Sequence, residues 1–409
     1  MNLTRTSLLC DEAKPSCQRC LSSGFTCSYA RDVKDLQFSQ ASVFKIDLET
    51  PLARPAFHRH VPLAYPIAGK IGSYELRQSD LRHLDVFVKS TWLTLGGGER
   101  ISRSWYTAGA LGLSNSHPFL LHIFIVLSQL HAIHENPSST RSHTLAFHWY
   151  HGAALFQRML TQALGAPALS SSERDTLWIA AAMLGTATFA YLGPSNPDEA
   201  WPLRDTSPDD LDWLKMGTGK KVVWELTDPT RPDSLFNQKA LRLTDDPPPD
   251  GRSPIRPHGL PALFFGVFGL GASSTADSNP YHVAASLLSQ LLPAKATPHN
   301  VHHFLSFMSQ MDSRYQALLV EKDPRALVLL LYWMAKMASY PMWWTRGRVL
   351  YEGLAIAVFI ERHYANEREL MDLIAYPRAI LSAVRVGVES SRESSVLPSQ
   401  EVQRKGQIA

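Results

Sequence analysis

Four cysteines carry the most specific chemistry in this sequence. Cys10, Cys17, Cys20 and Cys27 are the only cysteines among 409 residues, and they are spaced C-x6-C-x2-C-x6-C. Thiolates are soft donors, and two of them at C-x2-C spacing can grip one metal ion from a tight turn. Zinc is the metal such a set favours, because four thiolates complete a closed tetrahedron around it. Clustering of every cysteine at one end argues against disulfide staples, which would be spread along a secreted chain. Pro15 and Gly24 supply turn residues within the cluster.

Other groups with possible chemistry are weaker. His131 and His134 form one i, i+3 pair and His148 and His151 another. That spacing places both imidazoles of a pair on one helix face. The carboxylates of a di-iron pattern do not accompany them, so interfacial or surface histidines are the expectation; His299, His302 and His303 make a still weaker group. Gly217-Thr218-Gly219-Lys220-Lys221 resembles a fragment of a phosphate loop, but it lacks the first glycine and the hydroxyl after lysine. It reads instead as glycine capping the C-terminus of a helix. Gly266, Gly269 and Gly271 follow no strand, and no G-x-S-x-G or H-E-x-x-H occurs. No enzyme is expected.

These groups need elements to position them, and nearly all the elements read as helices. Residues 31–78 are punctuated by Pro51, Pro55, Pro62 and Pro66 and read as a linker. From Ser79, a plausible N-cap, Leu81, Leu84, Val88, Trp92 and Leu95 recur at helical spacing. Pro118 opens a helix that is apolar nearly all round from Phe119 to Ile133, as a buried helix is. Ser170 and Glu173 form a capping box before Leu177 to Leu192. Ser207-Pro208-Asp209-Asp210 starts another helix, and Asp323-Pro324 a further one. Helical signals resume near Pro280, and one more helix is expected from about Arg346 to Tyr364. Residues 227–262, with DDPPPDGRSPIRPHG, predict a flexible loop. The fold class expected is all-α: a helical body over 79–395, a small N-terminal metal module over 1–30, and a disordered tail over 396–409.

Composition sets outer bounds. The chain is 45% hydrophobic and 19% charged with net charge +3, which is globular and too weakly basic to argue for nucleic acid alone. MNLTRTSLLC has too short an apolar run for a signal peptide, so a reducing, intracellular compartment is expected. Thr176 to Pro194 is uncharged but rich in Ala, Gly and Thr, and the run from Ala326 is interrupted by Lys336. Both read as buried core helices rather than membrane spans.

The segment CDEAKPSCQRCLSSGFTCSYA resembles the second part of the fungal binuclear zinc cluster, a six-cysteine DNA-binding module. Cys10, Cys17, Cys20 and Cys27 match its third to sixth cysteines, and Asp11, Pro15 and Arg19 also fit. The resemblance implies zinc as cofactor, DNA as partner, and Lys14 and Arg19 as DNA-contacting residues. The family's second cysteine would fall at Leu3 and its first before Met1. Its basic helix would occupy Thr4 to Leu9, where only Arg5 is charged. In the family that helix enters the major groove, and each lost phosphate contact lowers affinity and salt dependence. The chain as written is therefore expected to bind DNA weakly. Three explanations stand open: a misassigned start or exon, which is favoured; a DNA-binding-deficient form; or four thiolates rearranged around one zinc.

The body carries a second resemblance. Ser116 to His134, Ser207 to Trp224 and Pro341 to Gly353 are similar to the regulatory region of the sterol uptake control protein-like branch of these regulators. That implies an all-helical domain that binds a sterol or other apolar ligand and controls nuclear access or activation. An apolar pocket would be lined by aromatics, Met and Leu. Trp213, Trp224, Trp333, Met334, Trp343 and Trp344 are candidates, although ordinary core packing is the simpler reading of each, and no ligand contact is assigned. The resemblance implies an RNA polymerase II transcription regulator in the nucleus, or in the cytoplasm while inactive, working with the transcription machinery. The alternative is a ligand-binding or interaction protein that has lost DNA binding. Residues 31–78 hold no sustained heptad, so homodimerisation is not decided.

Overall fold

The computed structural model describes residues 64–66, 73–95, 109–136, 143–166, 168–190, 196–207, 210–237, 247–297, 300–340 and 342–396. Over these residues the fold is all-α, apart from one antiparallel hairpin of β1 (Ala64–Pro66) and β2 (Ser73–Glu75) that pairs Tyr65 with Tyr74. The chain divides into two units, Met1–Tyr191 with Ser207–Pro247 and Leu192–Thr206 with Pro248–Ala409.

In the first unit the hairpin leads into α1 (Gln78–Val86). Ser79 is not its cap. The cap is Arg77, two residues earlier, and the Asp80 carboxylate reaches back to accept the Arg77 N–H at 2.8 Å. An acid at this third position satisfies an orphan donor and favours the positive end of the helix. A π-helical turn, Phe87–Thr91, joins α1 to α2 (Trp92–Leu95). The extra residue in that turn shifts the helical register. Phe87 and Thr91, which lie off the predicted apolar stripe, are fully buried, on the same side as Asp80 seven residues before Phe87.

The short α3 (Leu111–Ser116) precedes α4 (Phe119–Glu135), the centre of this unit. Every residue from Phe119 to His131 is buried, as its all-round apolar sequence predicts. α1, α5 (His143–Gly165) and α6 (Ser171–Ala190) pack around it. The capping box before α6 forms as predicted: Ser170 N–H donates to Glu173 at 2.8 Å and Glu173 N–H to Ser170 Oγ at 3.3 Å. α6 is thus a capped core helix. No described helix is long and apolar enough to cross a membrane.

α7 (Asp212–Thr227) packs on α6. Gly217 to Lys221 lie inside it, not at its end. Trp213, Leu214 and Val223 keep the buried face continuous across the glycines, and that packing offsets the roughly 1 kcal/mol that each helical glycine costs. The C-terminal role falls to Asp228, which adopts φ 40°. Beyond it, Arg231 holds the start of α6. Its guanidinium donates to Asp175 at 2.6 Å and to the Ser171 carbonyl at 2.9 Å. Ser234 Oγ and Leu235 N–H complete the carboxylate's partners.

The second unit contains α8 (Leu263–Val267), α9 (His282–Leu291), α10 (Val301–Ser309), α11 (Ser313–Val320), α12 (Pro324–Met337), α13 (Trp343–His363) and α14 (Arg368–Val396). α12 is its core: Ala326 to Ala335 are all buried, and α9, α10, α11, α13 and α14 contact it. Asp323 caps it, accepting the Ala326 N–H at 2.8 Å, with Pro324 in the first turn. Within 227–262, residues 247–262 hold turns and a one-turn 3-10 helix, Pro257–Gly259. There a Cβ on Gly259 would overlap the Ser289 carbonyl, so this approach admits only glycine. α14 carries Pro377 in its interior. Proline supplies no N–H to the Leu373 carbonyl one turn back. The Tyr332 hydroxyl supplies it instead, at 2.9 Å.

Candidate functional site

Cys10, Cys17, Cys20 and Cys27, with Lys14 and Arg19, lie outside the described residues. Their reading rests on donor chemistry: four thiolates, two at C-x2-C spacing, suffice for one closed tetrahedral zinc site. Bound there, zinc would cross-link the segment and fix its turns.

The histidines rearrange into a different set from the one that spacing suggests. His148 and His151, on α5, do share a face, but their neighbour across the α4–α5 contact is His122. His131 lies elsewhere, with its Nδ1 3.1 Å from the Thr91 hydroxyl. His122 and His148 approach Nδ1 to Nδ1 at 2.8 Å, and both are fully buried. His148 Nε2 lies 3.4 Å from Asp80 Oδ1. The Tyr74 hydroxyl donates to Asp80 Oδ2 at 2.7 Å. The tautomer of His148 that satisfies these contacts carries its hydrogen on Nε2, towards the carboxylate. His122 Nδ1–H then donates to His148 Nδ1.

Burial dominates the electrostatics here. It pushes His122 well below the ordinary histidine value, helped by the neighbouring His148 and His151, and brings His151 down to about 4. For Asp80 burial acts upward, but hydrogen bonds from His148, Tyr74 and the Arg77 N–H outweigh it and hold the carboxyl at about 2. Burial and the bonded carboxylate push the Tyr74 phenol up. No group of three or more His, Cys, Asp or Glu among the described residues has metal-holding geometry. The cluster is instead a buried polar tie from Tyr74 of β2 and Asp80 of α1 to the α4–α5 pair. Sequence reasoning missed its central members, Asp80 and His122. Asp80 sits at an exposed-looking helix start, and His122 sits alone in an apolar run.

Apart from Trp224, which is half-buried, the aromatic candidates are packed core. Trp333 is fully buried, donates to the Phe304 carbonyl at 2.7 Å and stacks on Phe307. Trp213 meets Phe189 edge-on at 5.2 Å, and Trp224 meets Trp178 at 5.1 Å. Met334, Trp343 and Trp344 are also buried. His302 and His303 contact each other edge-on on α10, and His299 lies outside the described residues.

Comparison with protein families gives the class of the N-terminal segment. Residues 8–36 match the model of the fungal Zn(2)-Cys(6) binuclear cluster domain. The matched stretch contains all four cysteines together with Lys14 and Arg19. The domain so named is a zinc-binding one, so zinc is the metal this segment takes. No curated protein matches the chain.

Proposed function

We propose that this chain is a fungal transcription regulator of the zinc cluster class, acting in the nucleus. Cys10, Cys17, Cys20 and Cys27 are its zinc ligands, Lys14 and Arg19 contact DNA phosphates, and the helices from Gln78 onward form a regulatory body that senses a ligand or partner. The observation that carries this reading is the family match over residues 8–36, which coincides with every cysteine in the sequence. The similarity of three body segments to the sterol uptake control protein-like branch supports an apolar effector as the finer version.

The roles of the residues follow from their chemistry. Thiolates at C-x2-C spacing hold the metal from one turn. Lys14 and Arg19 lie between and beside these cysteines in the sequence, and their cations would supply phosphate contacts. Zinc content and DNA retardation test the proposal together. The purified chain should carry zinc, and Cys17→Ser with Cys20→Ser should remove it. Binding to duplex DNA should weaken with salt, and Arg19→Ala should lower the slope of log affinity against log salt by about one. A chain that folds yet holds no zinc, or zinc binding with DNA affinity indifferent to Arg19 and to salt, overturns the reading.

A further inference from the structure

The stretch from Tyr74 to Val86 is fastened to the first unit differently from the helices around it. Of the nine residues of α1, one is buried, and it is the carboxylate Asp80. Leu81 and Leu84 are half-buried, and Val86 is exposed. Between Tyr74 and Val86, Leu76 is the one buried apolar side chain. Directly beyond, the pattern reverses. Phe87 is fully buried and stacks on Phe124 of α4 at 4.6 Å, and Trp92 is buried after it. Apolar anchoring therefore begins at the π turn, Phe87–Thr91, where the regular helical ladder is also interrupted. The stretch ahead of it is held chiefly by polar groups.

Those polar groups meet at one place. Asp80 accepts from the Tyr74 hydroxyl and the Arg77 N–H and faces His148 Nε2. The Tyr74 ring lies 4.7 Å from that of Phe147 and meets His148 edge-on at 5.6 Å. Behind it stands the 2.8 Å contact between His148 Nδ1 and His122 Nδ1. The titratable groups around that contact are Tyr74 and Arg77 ahead of α1, Asp80 and His83 from α1, and Tyr150 and His151 from α5. A contact this short between two ring nitrogens holds one hydrogen. Asp80 can balance one positive charge on the pair. A second proton places a hydrogen on both facing nitrogens, and the rings must part. His83 and His151, once protonated, add like charge and no balancing carboxylate. With the stretch in place, burial holds His122 well down and His151 at about 4. Detached, the rings would meet water and titrate nearer their ordinary value. The detached form thus binds more protons, and falling pH favours it.

We infer that Tyr74–Val86 is an acid-released strap, latched to the α4–α5 pair through Asp80 and the His148–His122 contact and hinged at the π turn. Release uncovers the face of α4 and α5 that carries His122, Phe147 and His148, while the helices behind stay folded. Its use in controlling the body rests on the regulatory reading above; the release itself does not.

Amide hydrogen exchange of the full chain, read by mass spectrometry from about pH 7 to about pH 4 with labelling times scaled for intrinsic exchange, tests this. A detached helix as short as α1 frays in water, so its amides report release. Peptides from Tyr74–Val86 should lose protection at least tenfold at a pH where α4 and α6 keep theirs. His122→Asn can still donate towards His148 but does not titrate, so it should stay latched at neutral pH and release at lower pH than wild type. Asp80→Asn should raise exchange of the strap at least tenfold already at neutral pH, and Tyr74→Phe severalfold, with α4 unchanged in both. Strap and α4 losing protection together, in wild type or in Asp80→Asn, would make the cluster part of the core and overturn the inference. Strap exchange indifferent to pH, to Tyr74→Phe, or to His122→Asn would overturn it as well. The zinc measurement is independent of each of these outcomes, so the two proposals fail separately.

Discussion

Protonation is where single residues of the first unit have most leverage. His83, His117, His122, His131 and His151 all have values pushed down, in each case chiefly by burial. In the unfolded chain each would titrate near its ordinary value of about 6.5. Between there and the lower folded values, the unfolded state binds more protons than the folded one. Stability is therefore complete above about pH 6.5 and falls as pH drops from there towards 4. Asp80 works in a lower window: its folded value is depressed to about 2, so its contribution persists above its ordinary value and is lost only in stronger acid. The expected result is a urea midpoint that falls steeply between pH 7 and pH 5. His151→Gln should flatten that slope without abolishing folding at pH 7. A midpoint constant across this range would show that these rings are solvated rather than buried. The residue scale was also the least legible in the sequence. The i, i+3 rule placed His148 and His151 on one face, but only packing could add His122 from α4 and Asp80 from α1.

At the scale of elements, α12 and α14 show how one irregularity is compensated by another helix. Pro377 leaves the Leu373 carbonyl without its helical donor, inside a buried contact. Tyr332, buried and with its phenol pushed up to about 12 by burial, donates to that carbonyl. Tyr332→Phe keeps the ring and its edge-on contact with Phe264 but removes the hydroxyl. Leaving one buried acceptor unpaired costs about 1–3 kcal/mol, and a fall in the urea midpoint of that size is expected. Leu330→Ala, at a fully buried position on the same helix, should cost about 2–5 kcal/mol. Near-neutral behaviour of Tyr332→Phe would mean that water reaches Leu373. The elements themselves were largely legible. The capping box at Ser170, the Asp323-Pro324 start and the apolar run of α4 each carry a local signal that the fold keeps. Departures have local causes. The buried face of α1 runs through Asp80 and Phe87, one residue off the predicted stripe, and tertiary packing carries α7 straight through two glycines that read as its end.

At the scale of the whole molecule, metal chemistry and helical core occupy different parts of the sequence. Every cysteine lies before residue 28, whereas the buried residues among those described run from Leu76 to Leu381. Among the described residues, α4 and α12 are each packed against helices of their own unit. A zinc module that folds only with its metal should then lose its structure on chelation while the helical body keeps its own. Stripping zinc from the full chain should abolish DNA retardation, yet leave the far-ultraviolet helical signal and the urea midpoint of the body almost unchanged. Restoring zinc should recover DNA binding with no change in helix content. A concerted loss of helix and metal would show that the cluster is part of the fold's core, and it would end the division of labour proposed between the two.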